Sequence, residues 1–292
     1  NAFLGTISLP QLKEFQVIAI VFLAENANRL LGEFLRIDGP LRILQLIHLY
    51  RHSNLEEHKS IVFHAMILLN ALTLAMPSVI KPILEYQEII KVLLDIFHEM
   101  DEEFIKSQAA RLISNLCLGS PESIDQLRRM EGIDLLVKAI LEYSKSRRIQ
   151  VGKKAGIQLL GEAQALEEDE SDLKPGGDLS IFIVAVLDCV QNGIVGTVEN
   201  ENQFAQEEGL DATLDLLEVA PVLLRIKVLR LLSGLLENSE LVSFGHAWRS
   251  SRTMRSAAQI VCHCWLDEEA RLGVPRDKSG LLANIFDPLS SH

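Results

Sequence analysis

Residues 108–143 read QAARLISNLCLGSPESIDQLRRMEGIDLLVKAILEY, and their order decides the fold class. A helix opens on Ala109-Ala110 and carries a Leu-Ile-Ser-Asn-Leu face over 112–116. Gly119-Ser120-Pro121 stops it, because proline lacks the backbone donor a helix interior needs. A short second helix follows, then Glu131-Gly132, then a third, apolar helix. Three helices of this kind in 36 residues describe one unit of a helical scaffold.

Laid over the rest of the chain, this unit recurs. Gly39-Pro40-Leu41, Glu88-Ile89-Ile90, Gly132-Ile133-Asp134 and Gly209-Leu210-Asp211 each place a small or acidic residue before an aliphatic helix. Glu88 and Gly132 lie 44 residues apart, within the range of about 40–47 that marks armadillo and HEAT repeats. The long helix of each unit carries a polar or small residue in an apolar face: Asn70, Asn115, Gly161 and Gly234, the first two 45 residues apart. The pattern resembles the armadillo repeat and implies an all-α, armadillo/HEAT-like right-handed solenoid.

The expected helices are Leu12–Asn26, the end of a preceding partial repeat, then Leu41–Tyr50 with Glu56–Ala75, Ile83–Met100 with Glu102–Leu118, and Ser123–Tyr143 with Ile149–Leu166. Residues 1–166 are thus read as repeats. The acidic run Glu167–Asp172 and Lys174-Pro175-Gly176-Gly177 mark 167–178 as a linker or insertion, since like charges repel and Pro-Gly-Gly cannot hold a helix. Over 179–240, Ile181–Val195, Phe204–Glu218 and Leu223–Glu237 form a further repeat. Residues 241–292 are expected to close the stack with a capping helix, Met254–Leu272, and a loop-like tail.

Composition agrees with a packed helical protein: 48% hydrophobic but 5% aromatic, the balance of aliphatic seams between helices. The longest apolar run near the start, Val17–Ala24, is far short of the roughly 20 residues a membrane span requires, so the chain is read as soluble, with no membrane partner. A net charge of −12 argues against general nucleic-acid binding. Four cysteines without disulfide-like spacing fit a reducing, intracellular compartment.

Several residue clusters carry chemically capable side chains. Cys262-His263-Cys264 holds zinc-ligand types, but helical neighbours at i and i+2 point about 200° apart, so a buried Cys262 and a partly exposed His263 are expected instead of a metal site. His48 and His52 share a helix face without a Glu-containing zinc motif and read as a solvated helix end. Gly152-Lys153-Lys154 lacks the glycine and hydroxyl of a phosphate loop. The acidic pairs Glu102-Glu103 and Glu268-Glu269 read as solvated helix charges. No catalytic residue, metal or cofactor is assigned, and no enzyme is expected. The candidate partner-binding residues are Asn70 and Asn115, placed where peptide-binding armadillo proteins clamp a peptide backbone, and the basic cluster Lys145, Arg147, Arg148, Lys153 and Lys154, suited to an acidic partner such as a tubulin tail.

The C-terminal third carries more specific marks. Segments 202–221 (NQFAQEEGLDATLDLLEVAP), 245–251 (GHAWRSS) and 257–277 (AAQIVCHCWLDEEARLGVPRD) resemble the cilia- and flagella-associated protein 69 family, armadillo-type components of motile cilia. The shared elements are Glu208-Gly209, Leu214–Leu217, Trp248-Arg249, Trp265 with Glu268-Glu269, Leu272-Gly273-Val274 and Arg276-Asp277; Ser250-Ser251-Arg252 departs from a basic, glycine-containing stretch. The resemblance implies a non-catalytic scaffold of the cilium or flagellum axoneme, within the cytoskeleton, docked in the central apparatus within a large hetero-complex beside microtubules, and adds Trp248 and Arg249 to the expected partner contacts. The alternative reading is a soluble adaptor that holds an extended peptide of a partner protein.

Overall fold

The computed structural model describes residues 32, 34–86, 88–160 and 180–283, with the backbone alone over 151–160. The expected Leu12–Asn26 helix, Gly161, the acidic run 167–172 and the end of the tail lie outside these residues. Among the described residues the regular structure is helical: α1 Gly39–Tyr50, α2 Glu56–Ala75, α3 Ile80–Leu84, α4 Ile89–Glu99, α5 Glu103–Gly119, α6 Pro121–Arg129 and α7 Gly132–Leu160. Then come α8 Ile181–Gly193, α9 Val198–Gln206, α10 Gly209–Val219, α11 Val222–Leu235, α12 Ser239–Ala247 and α13 Ala257–Arg271.

These elements form an armadillo-type stack of three-helix units. Long third helices pack side by side in the order α2, α5, α8, α11, and second helices in the order α4, α7, α10. The core runs along these contacts, through Leu69, Leu93, Leu112, Ile140, Val186, Leu217 and Leu231, each 1% exposed or less. By length and composition α2 could cross a membrane. Its apolar side is instead packed in the protein, where Val62, Met66 and Leu69 are fully buried.

Each boundary between first and second helix repeats one device. Asp38, Glu88, Glu131 and Glu208 all have left-handed backbones, with φ between 55° and 62°, and each stands just before a second helix. The chain thereby turns sharply, which sets Ile89–Glu99 apart from Ile80–Leu84 and Gly209–Val219 apart from Val198–Gln206, at the boundaries that Glu88-Ile89-Ile90 and Gly209-Leu210-Asp211 mark in the sequence. Three of these acids precede a glycine that lies beneath a first-helix side chain. A Cβ on Gly39 would lie 2.3 Å from the Phe34 ring, one on Gly132 2.4 Å from Leu127 Cδ1, and one on Gly209 2.5 Å from the Phe204 ring. The glycine is required for contact, and the acid beside it bears the backbone strain. Accordingly Glu208→Gly should remain within about 1 kcal/mol of the parent in urea unfolding, whereas Glu208→Val, β-branched at positive φ, should cost about 1–2 kcal/mol.

The third unit departs from expectation. A long helix was expected over Ile149–Leu166, separated from Ser123–Tyr143. Instead α7 runs unbroken through residues 144–148, and the helix in the third-helix place is α8, which packs along α5 more extensively than any other described pair. The reason is hydrophobic: α8 buries Ile183, Ala185, Val186, Leu187, Cys189 and Val190 between α5, α7 and α11. Ser180 caps its start, accepting from the Ile183 amide. Unit three is therefore α6, α7 and α8, with the segment carrying the acidic run inserted between its second and third helices, and unit four is α9, α10 and α11.

The last helix also begins later than expected. Met254 has φ 59° and cannot continue a helix, so α13 starts at Ala257 behind a capping box formed by Ser256 and Gln259.

Candidate docking surface

Along the third helices a chain of polar contacts stitches one unit to the next. Asn70 donates both to the Gln108 carbonyl at 3.0 Å and to Gln108 Oε1 at 3.1 Å. Asn115 donates back to Asn70 Oδ1 at 3.0 Å and to Thr73 Oγ1 at 3.1 Å. Ser114 Oγ donates to the Asp188 carbonyl at 3.0 Å and accepts from Asn192 Nδ2 at 2.9 Å. Lys227 of α11 then pairs with the Asp188 carboxylate. The ladder thus continues on α8 through Asp188 and reaches α11 at Lys227, whereas Gly234 lies against Val195. Asn70 and Asn115 are brought together, and the amide hydrogens of each are engaged within the protein.

The basic cluster divides. Lys145 is exposed, and Arg147 donates to Gln150 Oε1 at 3.2 Å. Arg148 reaches Asp215 on α10 at 2.8 Å and Ser251 Oγ at 3.4 Å, so it ties α7 to the fourth unit and to the turn before α13. Burial pushes the Asp215 carboxyl up, and Arg148 beside it opposes that shift. Lys153 and Lys154 lie on the α7 backbone.

The turn met by Arg148 contains Trp248 and Arg249. Trp248 is 7% exposed and belongs to the core, so its indole serves the fold; Arg249 is exposed and donates at 2.7 Å to the His246 and Trp248 carbonyls. The centre of this region is Glu218, with a side chain only 3% exposed. It accepts from Ser250 Oγ at 2.8 and 2.9 Å, Thr253 Oγ1 at 2.8 Å and Arg252 Nη2 at 3.3 Å. Sequence reading missed it; the available signal was an acid, Glu218, directly after the apolar pair Leu216-Leu217 and before Val219-Ala220. The departure Ser250-Ser251-Arg252 supplies two of its donor residues.

Other acids expected in solvent are also engaged. Glu102 accepts from Lys59, whose contact holds its carboxyl below the usual range, and Glu103 accepts from Ser180. Glu268 pairs with Arg271. Glu269 is 9% exposed; Arg276 holds its carboxyl low, and Trp265 Nε1 also donates to it. His48 and His52 are exposed, with His52 Nδ1 3.2 Å from Glu99.

The cysteines correct one expectation: Cys262 is exposed and Cys264 buried, because the α13 face turned toward the core is that of Ile260 and Cys264. Burial pushes the Cys117 thiol up to about 12 and Cys189 in the same direction. In native protein a thiol reagent at pH 8 should modify Cys262 rapidly and Cys117 and Cys189 only after unfolding; rapid native labelling of Cys117 would contradict the packing of α5 on α8.

Three-helix units joined along their long helices, with a polar ladder between units, define an armadillo-type scaffold, a class whose working part is surface. The chain belongs to the family described as cilia- and flagella-associated protein 69, ARM repeat, whose model matches residues 4–292. It is 23% identical over 309 aligned residues to cilia- and flagella-associated protein 69 of Mus musculus, covering 97% of this chain and 30% of the mouse protein. The proteins of that name from Homo sapiens and Callithrix jacchus are each 24% identical over 155 residues, 53% of this chain and 16% of theirs. The chain thus spans less than a third of the length of these relatives.

Proposed function

We propose that the protein is a non-catalytic structural scaffold of the motile cilium or flagellum, a projection component of the axonemal central apparatus that holds other axonemal proteins at fixed spacing beside the microtubules. Membership of the family along residues 4–292 carries this reading. The stack supports it physically: hydrogen bonds and ion pairs between successive units favour a stiff surface, the property that spacing partners requires. The adaptor alternative would need the carboxamides of Asn70 and Asn115 for a bound peptide backbone, and both sets of amide hydrogens already have partners. For acidic partners, including tubulin tails, Lys145 and Arg147 are better candidates than Arg148, which has Asp215. A tagged copy expressed in ciliated cells should co-purify with isolated cilia and stay with detergent-extracted axonemes. Recovery in the cytosol or nucleus alone would refute the reading.

A further inference from the structure

We infer that Ser251 is a phosphorylation site. Arg148 of α7, with Arg249 and Arg252 beside the serine, receives the phosphate and fastens the turn before α13 to the third unit. The inference goes beyond the scaffold reading and stands or falls independently of where the protein resides in the cell. In a chain of net charge −12, residues 241–266 contain no Asp or Glu, and Arg249, Arg252 and Arg255 all fall within them. All three arginines are exposed.

Most hydroxyls of this turn are already committed to the fold. Ser250 and Thr253 donate to Glu218, and Ser256 caps α13. Ser251 is exposed, and its Oγ instead faces Arg148 Nη1 at 3.4 Å, a contact at the long end of the hydrogen-bond range. The same guanidinium holds Asp215 through Nη2 at 2.8 Å. Its fork thus points one arm at an acid and the other at a neutral hydroxyl. A phosphate on Ser251 brings a second negative group and three acceptor oxygens to that other arm, the arrangement that orders a loop against an arginine. Arg252, the next residue, has a side chain 52% exposed. Two acids oppose the phosphate: Asp215, which keeps the first arm of Arg148, and Glu218, which is enclosed by its own donors. The arginines also serve the addition, since a kinase that reads basic residues meets Arg249 two positions before Ser251 and Arg252 and Arg255 after it. In that step the Ser251 oxygen bonds to the γ-phosphorus of ATP as the bond to the β-phosphate oxygen breaks. ADP leaves, and the hydroxyl proton passes to the kinase's catalytic carboxylate.

The test incubates the whole chain with Mg-ATP and protein kinase C and maps the phosphate by mass spectrometry. Phosphate is expected on Ser251. Hydrogen exchange over residues 144–150 and 248–256 should then slow by roughly fivefold or more, while α2 exchanges as before. By phosphorus NMR the second pKa of the phosphoserine should fall below its ordinary value of about 6, because the guanidinium favours the dianion. Arg148→Lys keeps a charge for Asp215 but loses the second arm of the fork, so Ser251 should still be phosphorylated while the slowing over 144–150 disappears. The proposal is overturned if Ser251 carries no phosphate after the reaction, or if the phosphate leaves exchange unchanged or speeds it. It is also overturned if exchange over 144–150 slows as much in Arg148→Lys as in the parent.

Discussion

Phe204→Ala is expected to lower the unfolding free energy by about 3–5 kcal/mol, the range for removing a fully enclosed aromatic ring. Phe204 is 0% exposed, and its ring lies over Gly209, close enough that a Cβ there would be 2.5 Å away. Gly209→Ala alone should cost about 1–3 kcal/mol through overpacking. With the ring removed, most of that cost should vanish, so a double-mutant cycle measured by urea unfolding should show strong coupling. Equal costs of Gly209→Ala in both backgrounds would mean that ring and glycine do not set the turn. The same geometry joins Leu127 to Gly132, so the result bears on how each unit is folded.

The second large effect is expected at Glu218. Glu218→Ala leaves the Ser250 and Thr253 hydroxyls and the Arg252 guanidinium without their shared acceptor, and should destabilise the end of the stack by about 3 kcal/mol. Because a stack contacts mainly its neighbours, the loss should be local. Hydrogen exchange should accelerate over residues 248–271 while amides of α5 keep their protection. Glu218→Gln retains an acceptor for the hydroxyls but not the charge facing Arg252, and should fall between the two. Uniformly faster exchange throughout the chain would argue against a locally acting hub.

The fold class was legible because it rests on local signals. Acid-glycine boundaries, prolines between helices and a 45-residue step from Asn70 to Asn115 are all short-range patterns. Which helix completes the third unit was not, since the residues directly after Tyr143 continue a helical pattern and sequence order favours them; the choice of α8 depends on how well its buried face fits α5. The site was less legible for the same reason. Arg148 read as a free charge because its partner, Asp215, lies on another unit, and Trp248 read as a contact residue because burial is a property of the packed end. Glu218 gave little sign of its role, because its partners lie 32 to 35 residues away in a turn whose shape sequence does not show.

The packing of α8 on α5 supports the whole arrangement, and one cysteine pair tests it directly. A Cβ on Gly193 would lie 3.8 Å from the Cβ of Cys117, the mean separation in disulfides, about 3.8 Å, and 2.6 Å from Leu127 Cδ2, the end of a side chain that must shift to admit it. Gly193→Cys, unfolded and refolded in a thiol–disulfide buffer so that both thiols are accessible before they are buried, should therefore link α8 to α5, giving a disulfide-joined peptide pair by mass spectrometry that is absent when Cys117 is also changed to Ser. Failure to form that link in a variant whose helicity matches the parent, with Cys117 fully alkylated after unfolding, would contradict the stack described for this chain.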